Sequence, residues 1–268
     1  MSDVDTKVDY SVLDRPEILM FLFHPRQESG FMPRQSAGIY ASIPVAPDVS
    51  IGACFHMAGK ADPNILFFHG NGEIVSDYDE LGPVYNQLNI NFLPVDYRGY
   101  GRSDGNPTVA AMMQDCHAIF TFVKTWLAQQ AYTGPLMVMG RSLGSASALE
   151  LASTCEADID ALIIESGFAL ASPLLNLLGI DTRSLGFQEE NGFRNIDKIK
   201  KFKKPTLVIH AEFDHIIPFS DGQSLYDAAA AENKSLLQIP GANHNDIFAR
   251  GLSDYLTAIQ KLVASLPA

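Results

Sequence analysis

The chain has 268 residues, 47% of them hydrophobic, and carries 31 Asp+Glu against 19 Lys+Arg for a formal charge of −12. That apolar content is ample for the core of one large α/β domain spanning residues 1–268. The acidic balance argues against nucleic acid or an anionic membrane as a partner.

Met1-Ser2-Asp3-Val4-Asp5 lacks the basic and apolar regions of a signal peptide. The early apolar run from Ile18 to Phe23 is far too short to span a bilayer. A cytoplasmic protein without stable membrane insertion is expected. Cys54, Cys116 and Cys155 are odd in number, widely spaced and set in apolar surroundings. They read as core thiols in a reducing compartment, not as disulfides or metal ligands. Nothing in the composition specifies an oligomeric state.

Residues 9–57 read as β structure without helices, with strands at Ile18–Phe23, Gly38–Ile43 and Ser50–Met57 between Pro- and Gly-bearing turns. From Asn64 the rhythm changes to alternating strands and helices, the signature of right-handed crossovers and a mostly parallel sheet. Ile65-Leu66-Phe67-Phe68 is a fully apolar strand that runs into His69-Gly70-Asn71-Gly72-Glu73. Gly70-x-Gly72 opens a dinucleotide fingerprint, but Val75 stands where the third glycine is needed, so no nucleotide cofactor is expected. A helix over about residues 76–89 leads to the strand Phe92–Val95 and the loop Asp96-Tyr97-Arg98-Gly99-Tyr100-Gly101. Asn106-Pro107 gives a helix start, followed by an apolar stripe from Val109 to Leu127 in which Met112 and Met113 are core filling.

The central stretch is Gly140-Arg141-Ser142-Leu143-Gly144-Ser145, between the apolar run Leu136–Met139 and the small-residue segment Ser145–Leu151. It reads as a strand, a sharp turn and a tightly packed helix. The two glycines allow strand and helix nearly to touch. Ser142 sits at the apex with the Leu143 N–H pointing the same way: a nucleophile elbow with half an oxyanion hole. Gly101-Arg102-Ser103-Asp104-Gly105 matches the same pattern, but its polar flanks place Ser103 in a loop.

After the strand Ala161–Ile164, residues 166–195 break the rhythm with Phe168, Leu170, Leu174, Leu175, Leu177 and Leu178, then polar residues. A short lid over a pocket is expected, with Phe168, Leu170, Leu174 and Leu178 as substrate-facing candidates. The pattern resumes with an amphipathic helix at 196–202 and the strand Pro205–Ile209, ending in His210-Ala211-Glu212-Phe213-Asp214-His215. Next come a helix over 219–231, the strand Ser235–Ile239, the loop to His244, and a final helix capped by Asn245-Asp246.

A serine hydroxyl needs an adjacent base, itself oriented by a third group. Ser142, Asp214 and His244 each follow a predicted strand, and parallel strands bring such loops together at one end of the sheet. Their order, Ser, Asp, His, suits this chemistry. Glu165 and Asp246 are weaker candidates for the acid. His210 reads as buried, His69 as a turn residue bonding loop backbone. His210, Asp214 and His215 lack the second cluster a zinc site needs, so no metal is expected.

Together these residues resemble the α/β-hydrolase superfamily from about Ile65 onward. The carrying motifs are His69-Gly70-Asn71-Gly72, Asp96-Tyr97-Arg98-Gly99-Tyr100-Gly101-Arg102-Ser103, the Ser142 elbow, Asp214, and Gly241-Ala242-Asn243-His244-Asn245-Asp246-Ile247. The resemblance implies an α/β-hydrolase fold with antiparallel N-terminal strands and a short lid. It also implies that Asn71, the residue after His-Gly, supplies the second oxyanion N–H. Phe193-Arg194-Asn195-Ile196-Asp197-Lys198-Ile199, together with the run His244-Asn245-Asp246-Ile247, is similar to the branch of eukaryotic acyl-protein thioesterases that remove palmitate, and to its bacterial relatives. A serine hydrolase of carboxylic esters or thioesters is the leading expectation, acting on a small-molecule or acyl substrate. A serine aminopeptidase is the alternative, and a catalytically silent module binding a small ligand stands third.

Overall fold

The computed structural model describes residues 8–28 and 38–266; residues 1–5, read above for targeting, lie outside them. Eight strands form one sheet: β1 (Ile39–Ala46), β2 (Val49–Phe55), β3 (Asn64–Phe68), β4 (Asn91–Val95), β5 (Leu136–Arg141), β6 (Ala161–Glu165), β7 (Thr206–Ala211) and β8 (Lys234–Ile239). Their spatial order is β1-β2-β4-β3-β5-β6-β7-β8. β1 and β2 are an antiparallel hairpin that adds to β4 antiparallel, and every pairing from β4 to β8 is parallel.

β3 to β7 are fully buried and largely apolar because both faces of the sheet are covered there, whereas the edge strand β8 is half-exposed. Along β3, Leu66 and Phe68 enter the core on one face while Ile65 and Phe67 enter the core on the other. Pro94 in β4 is tolerated because of where the gap it leaves falls. Phe92 and Asp96 donate their N–H groups to His56 and Gly52 of the β2 segment, and the ladder between them lacks the donor that Pro94 cannot supply.

The first apolar run is not a strand. Residues Pro16–Leu22 form a helix, α1, with Pro16 at its first position, Glu17 in its first turn, and Ile18 and Leu22 buried. Six consecutive apolar residues conceal a period of four, and the helix-start signal at Pro16 decides the outcome. The region expected as one helix over 76–89 is a short 3₁₀ turn, Val75–Tyr78, followed by α2 (Leu81–Gln87). The long helix α3 (Val109–Gln129) starts two residues after Pro107, with Thr108 as N-cap accepting from the Ala111 amide at 3.0 Å. Asp14 also bonds the first free amide of α3, accepting from Val109 N at 2.6 Å.

α4 (Gly144–Thr154) leaves the elbow, and α5 (Ala171–Leu177) lies in the segment after β6. Glu189 tethers the remainder of that segment to α5 by accepting from the Ala171 and Ser172 amides. α6 (Asn195–Ile199) and α7 (Phe219–Ala228) flank β7, and α8 (Ile247–Ala264) closes the chain. The cap expected from Asp246 does not form. Asp246 reaches backward to the Asn243 amide and side chain, at 2.6 and 3.0 Å, and its carboxylate meets α8 only through the Arg250 side chain, not through the free amides of the first turn.

The strand order decides where the site lies. From β3 the chain moves to β4 on one side and then to β5 on the other. The loops leaving β3 and β5 therefore diverge, opening a crevice at the carboxyl ends of two neighbouring strands. Phe68 pairs with Gly140, so the two strands end level.

Candidate active site

Asn71 follows β3 and Ser142 follows β5, one on each side of that crevice. The elbow is as tight as its glycines require. A Cβ at Gly140 would stand 2.3 Å from the Gly144 carbonyl oxygen, and one at Gly144 would stand 2.1 Å from that of Phe68. Ser142 takes φ 50°, a left-handed conformation that costs a non-glycine residue roughly 1–2 kcal/mol. The turn is held by the Ser142 N–H donating to the Glu165 carbonyl at 2.8 Å and by Ser145 Oγ donating to the Ser142 carbonyl at 2.6 Å.

His244, in the loop after β8, brings Nε2 to 3.1 Å from Ser142 Oγ. Its Nδ1 lies 2.7 Å from Asp214 Oδ2, in the turn after β7. The second oxygen, Oδ1, accepts from the Ile216 and Ile217 amides at 3.0 and 2.8 Å. Burial by itself would raise the Asp214 carboxyl. The hydrogen bond to His244, with the two amides, outweighs burial and holds Asp214 below its ordinary value. A carboxylate so held requires Nδ1 to carry the proton, leaving Nε2 as the acceptor that faces the serine. Among the described residues, no backbone hydrogen bond uses the N–H of Asn71 or Leu143.

The competing residues are occupied elsewhere. Ser103 Oγ accepts from the Gly52 amide at 2.9 Å and braces a loop. His210 is fully buried, with Nε2 on the Ile217 carbonyl at 2.8 Å. His69 bonds the Gly70 carbonyl through Nδ1 and Asp96 through Nε2. Phe168 is a core residue packed edge-on to Phe193 at 5.2 Å. Leu170, at the start of α5, is 44% exposed, and Leu174 and Leu178 are half-buried against the core. Cys54, His56 and Asp79 have ligand atoms within 4.8 Å of one another beneath the β1–β2 edge, away from the strand ends that carry Ser142. Cys54 and Asp79 each have additional partners.

What sequence reasoning missed is the buried charge network under these loops. Arg141, the residue before Ser142, points into the protein. Its Nε bonds Glu73 Oε1 at 2.8 Å, its NH1 bonds Glu165 Oε1 at 2.6 Å, and its NH2 donates to the His244 carbonyl at 2.9 Å. Glu73 Oε2 also accepts from the Gly70 amide at 2.7 Å and the Tyr78 hydroxyl at 2.6 Å. Glu165 Oε2 accepts from the Tyr255 hydroxyl at 2.6 Å. Burial opposes the Arg141 charge, but Glu165 and Glu73 outweigh burial and push the guanidinium well above its ordinary value. Burial would likewise raise Glu73, yet Arg141, the Tyr78 hydroxyl and His69 bring it down to about 2. One guanidinium thus ties together the loops after β3, β5, β6 and β8. Glu165 belongs to this network and not to the His244 imidazole. A charged residue ending an otherwise apolar strand was the only signal.

The chain is 32% identical over 219 residues to human alpha/beta hydrolase domain-containing protein 17B, a match spanning 76% of this chain and 69% of that protein. It belongs to the α/β-hydrolase family. The hydrolase is also 28% identical to YfhR of Salmonella typhi over 211 residues, covering 74% of this chain and 70% of that one. The family model described as serine aminopeptidase, S33, matches residues 59–180. Among solved structures, the Pyrococcus furiosus esterase Pf2001 superposes with TM-score 0.71 at 17% identity, covering 91% of this chain and 99% of that one. Est1E from Butyrivibrio proteoclasticus with ferulic acid bound gives TM-score 0.66 at 19% identity, covering 84% and 98%. These two show the fold. Among the described residues no helix is long and apolar enough to cross a membrane.

Proposed function

We propose that this hydrolase cleaves carboxylic esters or thioesters through an acyl-enzyme on Ser142. The observation that carries the reading is the continuous contact from Ser142 Oγ to His244 Nε2 and from His244 Nδ1 to Asp214 Oδ2, at 3.1 and 2.7 Å. Ser142 Oγ attacks the carbonyl carbon as its proton passes to His244 Nε2. The carbonyl oxygen becomes an oxyanion that accepts from the Asn71 and Leu143 amides. Collapse expels the alcohol or thiol, which takes the proton from His244. Water, deprotonated by the same imidazole, then attacks the acyl-serine and releases the acid and the free hydroxyl. Asp214 holds the tautomer and offsets the imidazolium charge without taking a proton.

Leu174 and Leu178, half-buried against the core that contains Phe168, and the exposed Leu170 would offer an apolar wall to an acyl chain. Each buried CH₂ adds roughly 0.8 kcal/mol, so short to medium chains suit a wall of one short helix. The likeness of residues 59–180 to serine aminopeptidases keeps amide hydrolysis as the second reading. An aminopeptidase needs a carboxylate for the substrate ammonium. Of the three acids between β6 and α6, Asp181 is exposed and bonded to the Arg183 and Ser184 amides, Glu189 is already bound to the α5 amides, and Glu190 is exposed.

The test is labelling by a fluorophosphonate probe, combined with kcat/KM for p-nitrophenyl esters of increasing length beside aminoacyl-naphthylamides. Labelling lost in Ser142→Ala and ester turnover above amide turnover are expected. Efficient amide cleavage with negligible ester turnover would instead establish the aminopeptidase. An unlabelled wild-type protein would leave a silent binding module.

A further inference from the structure

The turn carrying Asn71 is gripped from a part of the chain that precedes β1 and lies outside the family-matched residues 59–180. After α1 the chain runs extended through residues 23–28 across the loops that follow β3 and β4. Asn71 Oδ1 accepts both the His24 backbone N–H at 2.8 Å and the Tyr100 hydroxyl at 2.7 Å. Two donors on one oxygen fix the orientation of the amide, so Nδ2 is the atom facing His24 Nδ1 at 2.8 Å. His24 Nδ1 is therefore the acceptor of that bond. Arg26 Nε donates to the Gly72 carbonyl at 3.2 Å, and its guanidinium pairs with Asp77. The strip is pinned in turn to the neighbouring loop: Gly101 N–H donates to the Arg26 carbonyl at 2.8 Å, and Glu28 N–H to the Gly101 carbonyl at 3.0 Å. Arg102 closes the strip on Glu28.

We propose that residues 24–28 form a clamp that sets the aim of the Asn71 N–H, with His24 a positioning residue acting through the Asn71 side chain. Gly72, next to Asn71, has φ 77°. A turn with glycine on both sides of Asn71 has little rigidity of its own. Fixing the Asn71 side chain at both ends, and the Gly72 carbonyl beside it, leaves the Asn71 peptide plane little freedom to rotate. An oxyanion donor is useful only if it is already aimed when charge develops. This inference rests on the serine-hydrolase reading for its catalytic consequence, but not for the clamp itself.

Removing an oxyanion donor outright costs about 10²–10³ in kcat. Loosening one is expected to cost a fraction of that. His24→Ala, at an exposed position, should lower kcat for p-nitrophenyl acetate roughly tenfold with KM within about twofold, and weaken a boronic-acid transition-state mimic in parallel. His24→Asn places an amide oxygen where Nδ1 stood and should restore most of the loss, which a purely structural role would not require. Arg26→Ala, which frees Gly72, should act in the same direction. Hydrogen exchange at residues 70–73 should accelerate in His24→Ala and return toward wild type in His24→Asn, with unchanged thermal midpoints. Wild-type kcat in His24→Ala, or His24→Asn as impaired as His24→Ala, overturns the proposal, as does unchanged exchange at residues 70–73. If the wild-type protein hydrolyses nothing, the proposed function fails while the exchange measurement still decides the clamp.

Discussion

Arg141→Met should show how far the loops depend on one buried cation. The substitution keeps the side chain's length and apolar stem but leaves Glu165 and Glu73 facing each other without the charge between them. It also strips the His244 carbonyl of its donor. Breaking a buried ion pair by removing one partner costs about 3–5 kcal/mol. With an unfolding entropy of about 2.1 cal/mol/K per residue over 268 residues, that is a fall in Tm of about 5–9 °C. The two carboxylates are not equally placed: the Glu165 side chain is fully buried, whereas that of Glu73 is 26% exposed. Adding Glu165→Gln should therefore recover at least half of the lost midpoint, because an amide can still accept from Tyr255 without an unpaired charge. Activity should fall roughly 10- to 100-fold in the single variant, since the His244 loop loses its tether and a small misplacement of the base is costly. Thermal denaturation followed by circular dichroism, with probe labelling at 25 °C, measures both. A midpoint within a degree of wild type in Arg141→Met, or no recovery in the double variant, would refute the reasoning.

Ser142→Ala should remove turnover and labelling without loss of stability, while Ser103→Ala keeps most activity and loses a little stability through the unpaired Gly52 amide; exchanged outcomes would displace the elbow assignment. Asp214→Asn should lower kcat by roughly 10⁴-fold, as when a triad imidazole loses its orienting acceptor; near-normal kcat there would move the acid elsewhere. Acid stability has a defined sign. Glu73 is held at about 2 in the folded protein against an ordinary value of 4.5, so its contribution is complete above pH 4.5 and is lost as pH falls toward 2. Glu150, also held at about 2 against burial by His117 and Lys198, acts in the same window. Urea midpoints should decline from pH 5 to pH 2, and Glu73→Gln should flatten that decline; an equal slope in the variant would contradict it.

Much of this protein was legible in the chain. Ile65–Phe68, Leu136–Met139 and Ala161–Ile164 announced parallel strands because strands buried on both faces need unbroken apolar runs. Gly140 and Gly144 announced the elbow because no side chain fits between strand and helix there. The meeting of Ser142, Asp214 and His244 was legible by position, each lying just past a strand. Ile18–Phe23 misled because continuous hydrophobicity has no period, so a helix and a buried strand look alike until Pro16 is weighed. Asp246 misled because a capping residue can as well turn back to its own loop. The meeting of Arg141, Glu73, Glu165 and the His244 carbonyl belongs to tertiary structure alone. The four come from strand ends and loops up to 171 residues apart (Glu73 to His244), and pairing a buried charge depends on distances in space. The same holds for His24 at Asn71, 47 residues away. Finally, the crevice lies between β3 and β5 because β4 turned to one side and β5 to the other, and strand order is settled by how the layers pack.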